Sequence, residues 1–491
     1  MNGIRADRVI LCADIGTSSL KAAFVDYEGK LRGFVRETYP AERVVAGKTT
    51  STDWENAFKR AISVLLSATS DNRIEIGAIC VSGNGPTLVP VDVDGQALAP
   101  LHWHDGRIVK PADPGLRSFF LPRAAWLRDH EGAAYERTRL FLSCQEWLSA
   151  RLGAEAVGVL SSSAYRPYFW DDAQIRAFGL EPEKFPPLVL MGERIGAVSK
   201  TAEATFGIPS GTPIVAAGTD YFMALVGVGV IENGMVCDRA GTSEGINVCA
   251  DKPAKGTELL TLPQLRPQLW HVSASLPTTG RLFEWFRTIT GQTGRNYQEM
   301  LEEIEAASSR TFARPVYGAT EPQSCLDTAN DRKPACGGFF FPDVRAAGNL
   351  SASSAFISTA GLTTRAELGR AVVEAIGYMV RGAIDKLEKH GYRVESMRLS
   401  GGQAKNAAWN RLKADITGRY LAIPEIEDGE LTGNLCASLY ALGESRSVED
   451  AVSRTVRIAR VYEPDQKAFA IHSERYDSYK TMLAKMERFF E

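Results

Sequence analysis

No long run of Lys and Arg stands out in these 491 residues, and the formal net charge is −3. Binding to nucleic acid or to an anionic membrane therefore has no compositional support. No stretch approaches the roughly 20 apolar residues that span a bilayer. The segment from Met1 to Arg8 passes straight into an apolar strand, without the apolar core of a signal peptide. The eight cysteines are scattered, with no Cys-x-x-Cys. Cys12, Cys80 and Cys237 lie in strand-like apolar runs, where a thiol serves as a small hydrophobe. A reducing cytoplasm is the expected location. The six histidines form no cluster; His102 and His104 flank Trp103 with no third ligand at metal spacing, which argues against zinc. Two familiar nucleotide motifs are missing as well. Gly47-Lys48-Thr49 has Glu42 where a P-loop needs glycine, and Gly83-Asn84-Gly85 and Gly227-Val228-Gly229 are followed by Leu88 and Glu232 where a dinucleotide fingerprint needs its third glycine.

What is present is a sharp turn between two apolar runs, Val9–Ala13 and Leu20–Val25. It gathers Asp14, Gly16, Thr17, Ser18 and Lys21, which offer a carboxylate for a metal ion, hydroxyls and backbone N–H groups for phosphate oxygens, and one cation. Alone, such a stretch is equally a plain tight hairpin. The strand before it, Lys21 after it and a second copy at Arg239-Ala240-Gly241-Thr242-Ser243 favour phosphate binding, with Asp14 on magnesium and Thr17 and Ser18 around the terminal phosphate.

Hydrophobic residues make up 44% of the chain and charged residues 23%, enough for substantial cores. Periodicity predicts strands over 9–13, 20–26 and 31–38, a helix over 54–68, and a buried strand over 76–82 that ends in Gly83-Asn84-Gly85-Pro86. In open α/β sheets ligands commonly bind at such carboxyl ends. The second half repeats the order: a hairpin over 234–250, a long helix over 364–389, a strand over 396–400 ending in Gly401-Gly402, and helices over 406–417 and 434–442. The expected class is α/β, with two similar domains, 1–250 and 251–491, and a ligand cleft between them. The segment 317–334 reads as a surface excursion.

Three further stretches carry candidate chemistry. Gly218-Thr219-Asp220 follows the apolar run 212–217; Asp220 reads either as a helix N-cap or, at a ligand site, as a general base on a hydroxyl. Ser400-Gly401-Gly402-Gln403-Ala404-Lys405-Asn406 lets a flat ring approach the backbone ahead of a helix N-terminus, or is simply a tight strand–helix turn. Trp103-His104-Asp105-Gly106-Arg107 offers a stacking face and hydroxyl partners for a sugar, or is a polar surface loop with one anchoring aromatic.

Taken in order, these motifs resemble the FGGY carbohydrate kinases of the actin/hexokinase/heat-shock ATPase superfamily, closest to the xylulokinase-like branch. The likeness runs from about Val9 to about Arg460 and includes Leu121–Leu127, Arg370–Glu374, Trp409 and Ala414-Asp415. It implies two ribonuclease-H-like (actin-like ATPase) domains, ATP and Mg²⁺ as cofactors, and a small sugar as substrate. By position, Asp220 is implied as the base, Thr17 as a γ-phosphate contact, Gly241 and Thr242 as a second phosphate contact, and Gly401, Gly402, Gln403 and Asn406 as the adenosine pocket. Asp14 and Asp220 are the expected magnesium ligands, and Asn84, Gly85, Pro86, Trp103, Asp105, Arg107 and Asp220 the expected sugar contacts. Xylulokinases usually carry Gln-Met-His-Gly where this chain has Asn84-Gly85-Pro86-Thr87, so a sugar-contacting histidine is missing. Gln403 stands where a third glycine is usual, and Thr432-Gly433-Asn434-Leu435-Cys436-Ala437 replaces the usual Leu-Gly-Ala-Ala. Ribulose, gluconate, glycerol or a signalling sugar are the alternative substrates, and a non-catalytic sugar sensor the alternative role. A symmetric dimer is the default expectation.

Overall fold

The computed structural model describes residues 7–68, 74–111, 113, 115–241, 244–276, 279–311, 338–344, 353–357 and 364–490. The expected excursion over 317–334 and residues Thr242 and Ser243 lie outside them.

The strands of the first main sheet are β1 (Asp7–Ile15), β2 (Ser19–Asp26), β3 (Leu31–Thr38), β4 (Ile74–Gly83), β5 (Arg194–Ala197) and β6 (Pro213–Val215). Their order is β3-β2-β1-β4-β6-β5. β1 reads as a continuous apolar run because it is central; Val9 to Ala13 and Ile15 are wholly buried. It pairs antiparallel with β2 and parallel with β4. β3 alternates exposed and half-buried residues along its length. Trp54, Ala57, Phe58, Ala61, Ile62 and Leu65 form the buried stripe of the helix Ser51–Ala68.

The second main sheet has seven strands: β7 (Val236–Ala240), β8 (Glu244–Ala250), β9 (Leu260–Pro263), β10 (Trp270–Leu276), β11 (Ser396–Ser400), β12 (Tyr420–Pro424) and β13 (Ile458–Tyr462). The order is β9-β10-β8-β7-β11-β12-β13. β7 pairs antiparallel with β8 and parallel with β11. The trio β8-β7-β11 thus repeats the trio β2-β1-β4, as the duplicated sequence pattern predicts.

The chain packs as two compact units. The first comprises Met1–Asn233, Leu262–Trp270 and Pro424–Arg457, and the second Gly234–Thr261, His271–Ile423 and Ile458–Glu491. Packing therefore divides the chain at Asn233 and not near residue 250, because the β7–β8 hairpin is hydrogen-bonded into the second sheet through β11. The segment 424–457 returns to the first unit through the helix Gly429–Ala441, whose buried face includes Leu431, Leu435 and Cys436. Gly227 of the helix Asp220–Gly227 lies against Gly429 and Gly433 of that helix, and a Cβ on Gly227 would run into the Gly429 carbonyl. Cys12, Cys80, Cys144, Cys237, Cys249 and Cys436 are free and buried, as expected of thiols used as hydrophobes. Among the described residues no helix is long and apolar enough to cross a membrane.

Candidate active site

In the first unit the β1–β2 register does most of the assembly. Pairing Ile15 with Leu20 puts Asp14 opposite Lys21, and the parallel register puts Asp14 beside Ser82 on β4. The Gly16 N–H donates to the Ser19 carbonyl at 3.0 Å, closing the turn. A Cβ on Gly16 would stand 2.8 Å from that same oxygen, so the turn requires glycine. Ser18 is exposed and Thr17 half-buried at the tip.

Asp14 itself is buried. Ser82 Oγ donates to its Oδ1 at 2.9 Å, and Lys21 Nζ stands 3.7 Å from its Oδ2. Lys21 also meets Asp428 at 3.1 Å and Glu430 at 3.4 Å. Asn434 donates to the Ala13 carbonyl at 2.8 Å and to Ser82 Oγ at 3.1 Å. Burial, then the Glu430 charge, push Asp14 up to about 7; nearby Asp220 adds to the rise, while Lys21 and the Ser82 hydroxyl oppose it. Burial alone would lower Lys21, but Glu430, Asp428 and Asp14 outweigh it and hold the ammonium above its ordinary value. The sequence gives Asp428 and Glu430 no signal, and it marks Asn434 only as a helix start and a departure from the family pattern. They lie some 400 residues from Asp14; Asp428 immediately precedes, and Glu430 and Asn434 belong to, a helix whose Gly and Thr content hides its start, which is Gly429, five residues before the predicted 434.

Asp220 is the first residue of the helix Asp220–Gly227, and the N-cap position belongs to Thr219. Thr219 bridges to Gly83, which brings Asp220 to the carboxyl end of β4, the same sheet end as Asp14. The Asp220 carboxylate accepts from the Tyr221 N–H at 2.6 Å.

The loop after β4 is tied inward. Asn84 Nδ2 donates to the carbonyls of Ile15 (2.9 Å) and Gly16 (3.1 Å), and Asn84 Oδ1 accepts from Thr87 Oγ1 at 2.6 Å. The Asn84 side chain therefore braces the Asp14 turn from within the protein. Gly85 abuts Thr219, and Gly83 abuts Cys144 and Gln145, two buried residues at the start of the helix Cys144–Leu152 for which the sequence offered no signal. Trp103 is partly exposed, and its indole N–H donates to Thr17 Oγ1 at 3.2 Å. Asp105 accepts from both the N–H and the Nε of Arg107, whose guanidinium lies over Trp126. Arg123, part of the Leu121–Leu127 stretch, fixes this loop by donating to the carbonyls of Trp103 (2.8 Å) and Phe119 (2.6 Å).

In the second unit, Gly401 takes the left-handed φ of 97°, and a Cβ there would stand 2.5 Å from the Ala240 carbonyl oxygen. Gly402 has open space at its Cβ position. Gln403 Nε2 reaches the Gly241 carbonyl at 3.4 Å, and Gln403 Oε1 accepts from Trp409 Nε1 at 2.9 Å. Asn406 caps the helix Ala407–Thr417 by accepting from the Trp409 N–H at 2.9 Å. Thr242, the expected phosphate contact beside Gly241, is outside the described residues.

Two family models match the chain. The N-terminal domain of the FGGY family of carbohydrate kinases matches residues 116–227, and the C-terminal domain of that family matches residues 239–442. Together they span more than half of the chain. The chain belongs to the FGGY family of carbohydrate kinases. A xylulose kinase of Staphylococcus epidermidis is 24% identical to this FGGY chain over 508 residues, covering 98% of it and 97% of the relative. An autoinducer-2 kinase of Salmonella paratyphi B is 22% identical, with 96% and 93% covered. Among solved structures, xylulose kinase from Rhodospirillum rubrum matches with a TM-score of 0.73 at 18% identity, covering 98% of this chain and 100% of the other. Plasmodium falciparum glycerol kinase with ADP matches with a TM-score of 0.75 at 16% identity, with 98% of each covered. These likenesses bear out the expected fold, an FGGY kinase with two actin-like ATPase domains, and the enzyme class, a carbohydrate kinase.

Proposed function

We propose that this carbohydrate kinase transfers the γ-phosphate of ATP to a hydroxyl of a small ketose or polyol in the cytoplasm. The observation that carries the reading is the convergence of Asp14, the Thr17–Ser18 turn and Asp220 at one sheet end, close enough for the two carboxylates to feel each other's charge. Asp220 takes the proton from the sugar hydroxyl. The sugar oxygen then attacks the γ-phosphorus in line, the bond to the β–γ bridging oxygen breaks, and ADP leaves. Thr17 and Ser18 hold the transferred phosphoryl group, and Gly241, Thr242 and the Gly401–Asn406 loop hold the nucleotide. Magnesium, when bound, supplies charge neutralisation on the phosphate oxygens, and Asp14 and Asp220 are the carboxylates that would hold it. They suit that ion: Asp14 lies in the negative field of Glu430 and Asp220, which a cation relieves. Among the described residues no group of three or more ligating side chains forms a metal site by itself. That agrees with an ion held by one or two carboxylates together with substrate phosphates.

Trp103 is the proposed stacking face for the sugar, with the Asp105–Arg107 pair beside it. Asn84 is engaged by the carbonyls of Ile15 and Gly16 and by Thr87, and the sugar-contacting histidine usual in xylulokinases is absent here, so a ketose or polyol other than D-xylulose is the favoured substrate. The test is a coupled ADP-release assay with magnesium-ATP across ketopentoses, polyols and sugar acids, with Asp220→Ala as control. Sugar-dependent turnover that drops by about 10²–10⁴-fold in the variant is expected for loss of a general base. Undiminished turnover in Asp220→Ala would remove the assigned mechanism, and binding of a sugar without turnover would make the protein a sensor.

A further inference from the structure

Lys413 is wholly buried in the second unit, and so are the two carboxylates it meets. Its Nζ lies 2.6 Å from Asp238 Oδ2 and 2.5 Å from Glu244 Oε1. Asp238 is in β7 and Glu244 opens β8, so the ammonium joins the two arms of the hairpin that carries Gly241. Lys413 belongs to the helix Ala407–Thr417, where its ammonium stands 5.1 Å from the ring of Trp409, one turn earlier. Trp409 holds Gln403, and Gln403 reaches back to the Gly241 carbonyl. The contacts make a closed circuit: hairpin arms, Lys413, Trp409, Gln403, hairpin turn. Gly401, pressed on the Ala240 carbonyl, fastens the same loop to the end of β7 a second time.

Core packing does not call for such a triad. Replacing a buried ion pair by apolar side chains of similar volume is often neutral or stabilising, since desolvation cancels much of the attraction. An apolar side chain at 413 could fill the same space in several rotamers and registers. A lysine held by acidic side chains on two different strands is satisfied in fewer arrangements than an apolar side chain, which suits the triad to a geometric constraint more than to a source of stability.

We propose that Lys413 is a positioning residue for the nucleotide, fixing Gly241, just after β7, relative to the Gly401–Gln403 loop without touching the ligand itself. This rests on the reading of that turn and loop as the nucleotide site. The test uses the full-length protein and measures magnesium-ADP affinity by titration calorimetry, alongside the unfolding midpoint. One variant is the apolar triple Lys413→Met, Asp238→Leu, Glu244→Leu, which removes the charges and leaves no buried polar group behind. The other is Trp409→Phe, which keeps the ring and removes the donor to Gln403. The triple variant is expected to unfold at or above the wild-type midpoint yet to bind ADP at least tenfold more weakly. Trp409→Phe should stay folded, with a midpoint lowered only as the smaller ring requires, and bind several-fold more weakly. In turnover, KM for ATP should rise in both while KM for the sugar stays within twofold. ADP binding within twofold of wild type in either folded variant overturns the proposal, as does a parallel loss of sugar and nucleotide affinity. Absence of ADP binding in the wild type would instead remove the reading of the site, and the proposal with it.

Discussion

Replacing Lys21 by methionine keeps the length of the side chain and removes its charge from among three carboxylates. Asp428, Glu430 and Asp14 lie 3.1, 3.4 and 3.7 Å from Nζ, and all four side chains are largely buried. At an effective dielectric of about 20, each such pair is worth roughly 5 kcal/mol before desolvation. Removing one partner of a buried pair has a net cost of about 3–5 kcal/mol, because a charge is left uncompensated. That cost is avoidable by protonation, so it depends on pH. Asp14 already sits up at about 7 with Lys21 in place, and without the ammonium it moves higher still. In the variant the folded-state value of Asp14 lies still further above its unfolded value of about 4, so the folded state binds the extra proton, and stability is lost as pH rises through the shifted value. The gap between wild type and Lys21→Met should therefore be wider at pH 8 than at pH 5 by about 1–2 kcal/mol, since Asp14 in the wild type already ionises near 7. Urea unfolding at pH 5, 6.5 and 8 reads this directly, with Lys21→Arg as the charge-preserving control. A gap that is constant with pH, or below about 1 kcal/mol at pH 8, would refute the reasoning.

Gly433→Ala puts a Cβ against the Met223 carbonyl of the helix that starts with Asp220. It should cost about 1–3 kcal/mol by overpacking and lower kcat through displacement of Asp220, whereas Gly402→Ala, with nothing near its Cβ, should change stability by less than about 0.5 kcal/mol; thermal unfolding and turnover of both variants check this. His472 is buried, and burial, with Arg370, Arg475 and Arg381 nearby, lowers it to about 4 despite the opposing pull of Glu374. The unfolded chain takes up that proton first, so stability of the second unit should fall as pH drops from about 6.5 to about 4, by at most about 3 kcal/mol. Denaturant unfolding against pH should show this slope, and His472→Phe should flatten it.

The parts of the fold read correctly from sequence are those whose signal is local. β1 betrays its central place because both edges and both faces are covered, leaving no position for a polar residue between Val9 and Ala13. Asp14 and Lys21 could be paired by counting, since a turn closed by Gly16 and Ser19 admits that register. Gly16 and Gly401 were recognisable because tight turns restrict residue type whatever surrounds them.

The missed residues are ones whose partners are distant in the chain. Asp428, Glu430 and Asn434 look like ordinary polar positions on a weakly amphipathic helix until the fold brings that helix onto the end of β1. Lys413 reads as a solvent-facing helix lysine until Asp238 and Glu244 close around it in the core. Asn84 shows its polar character in the sequence but not its direction, which the carbonyls of Ile15 and Gly16 decide. Turn geometry and strand burial are set by a few neighbouring residues, so the sequence by itself determined the tight glycine turns, the duplicated sheet order and the kinase class. Whether a polar side chain meets ligand, backbone or a buried opposite charge depends on what packs over it, and only the tertiary structure decided that.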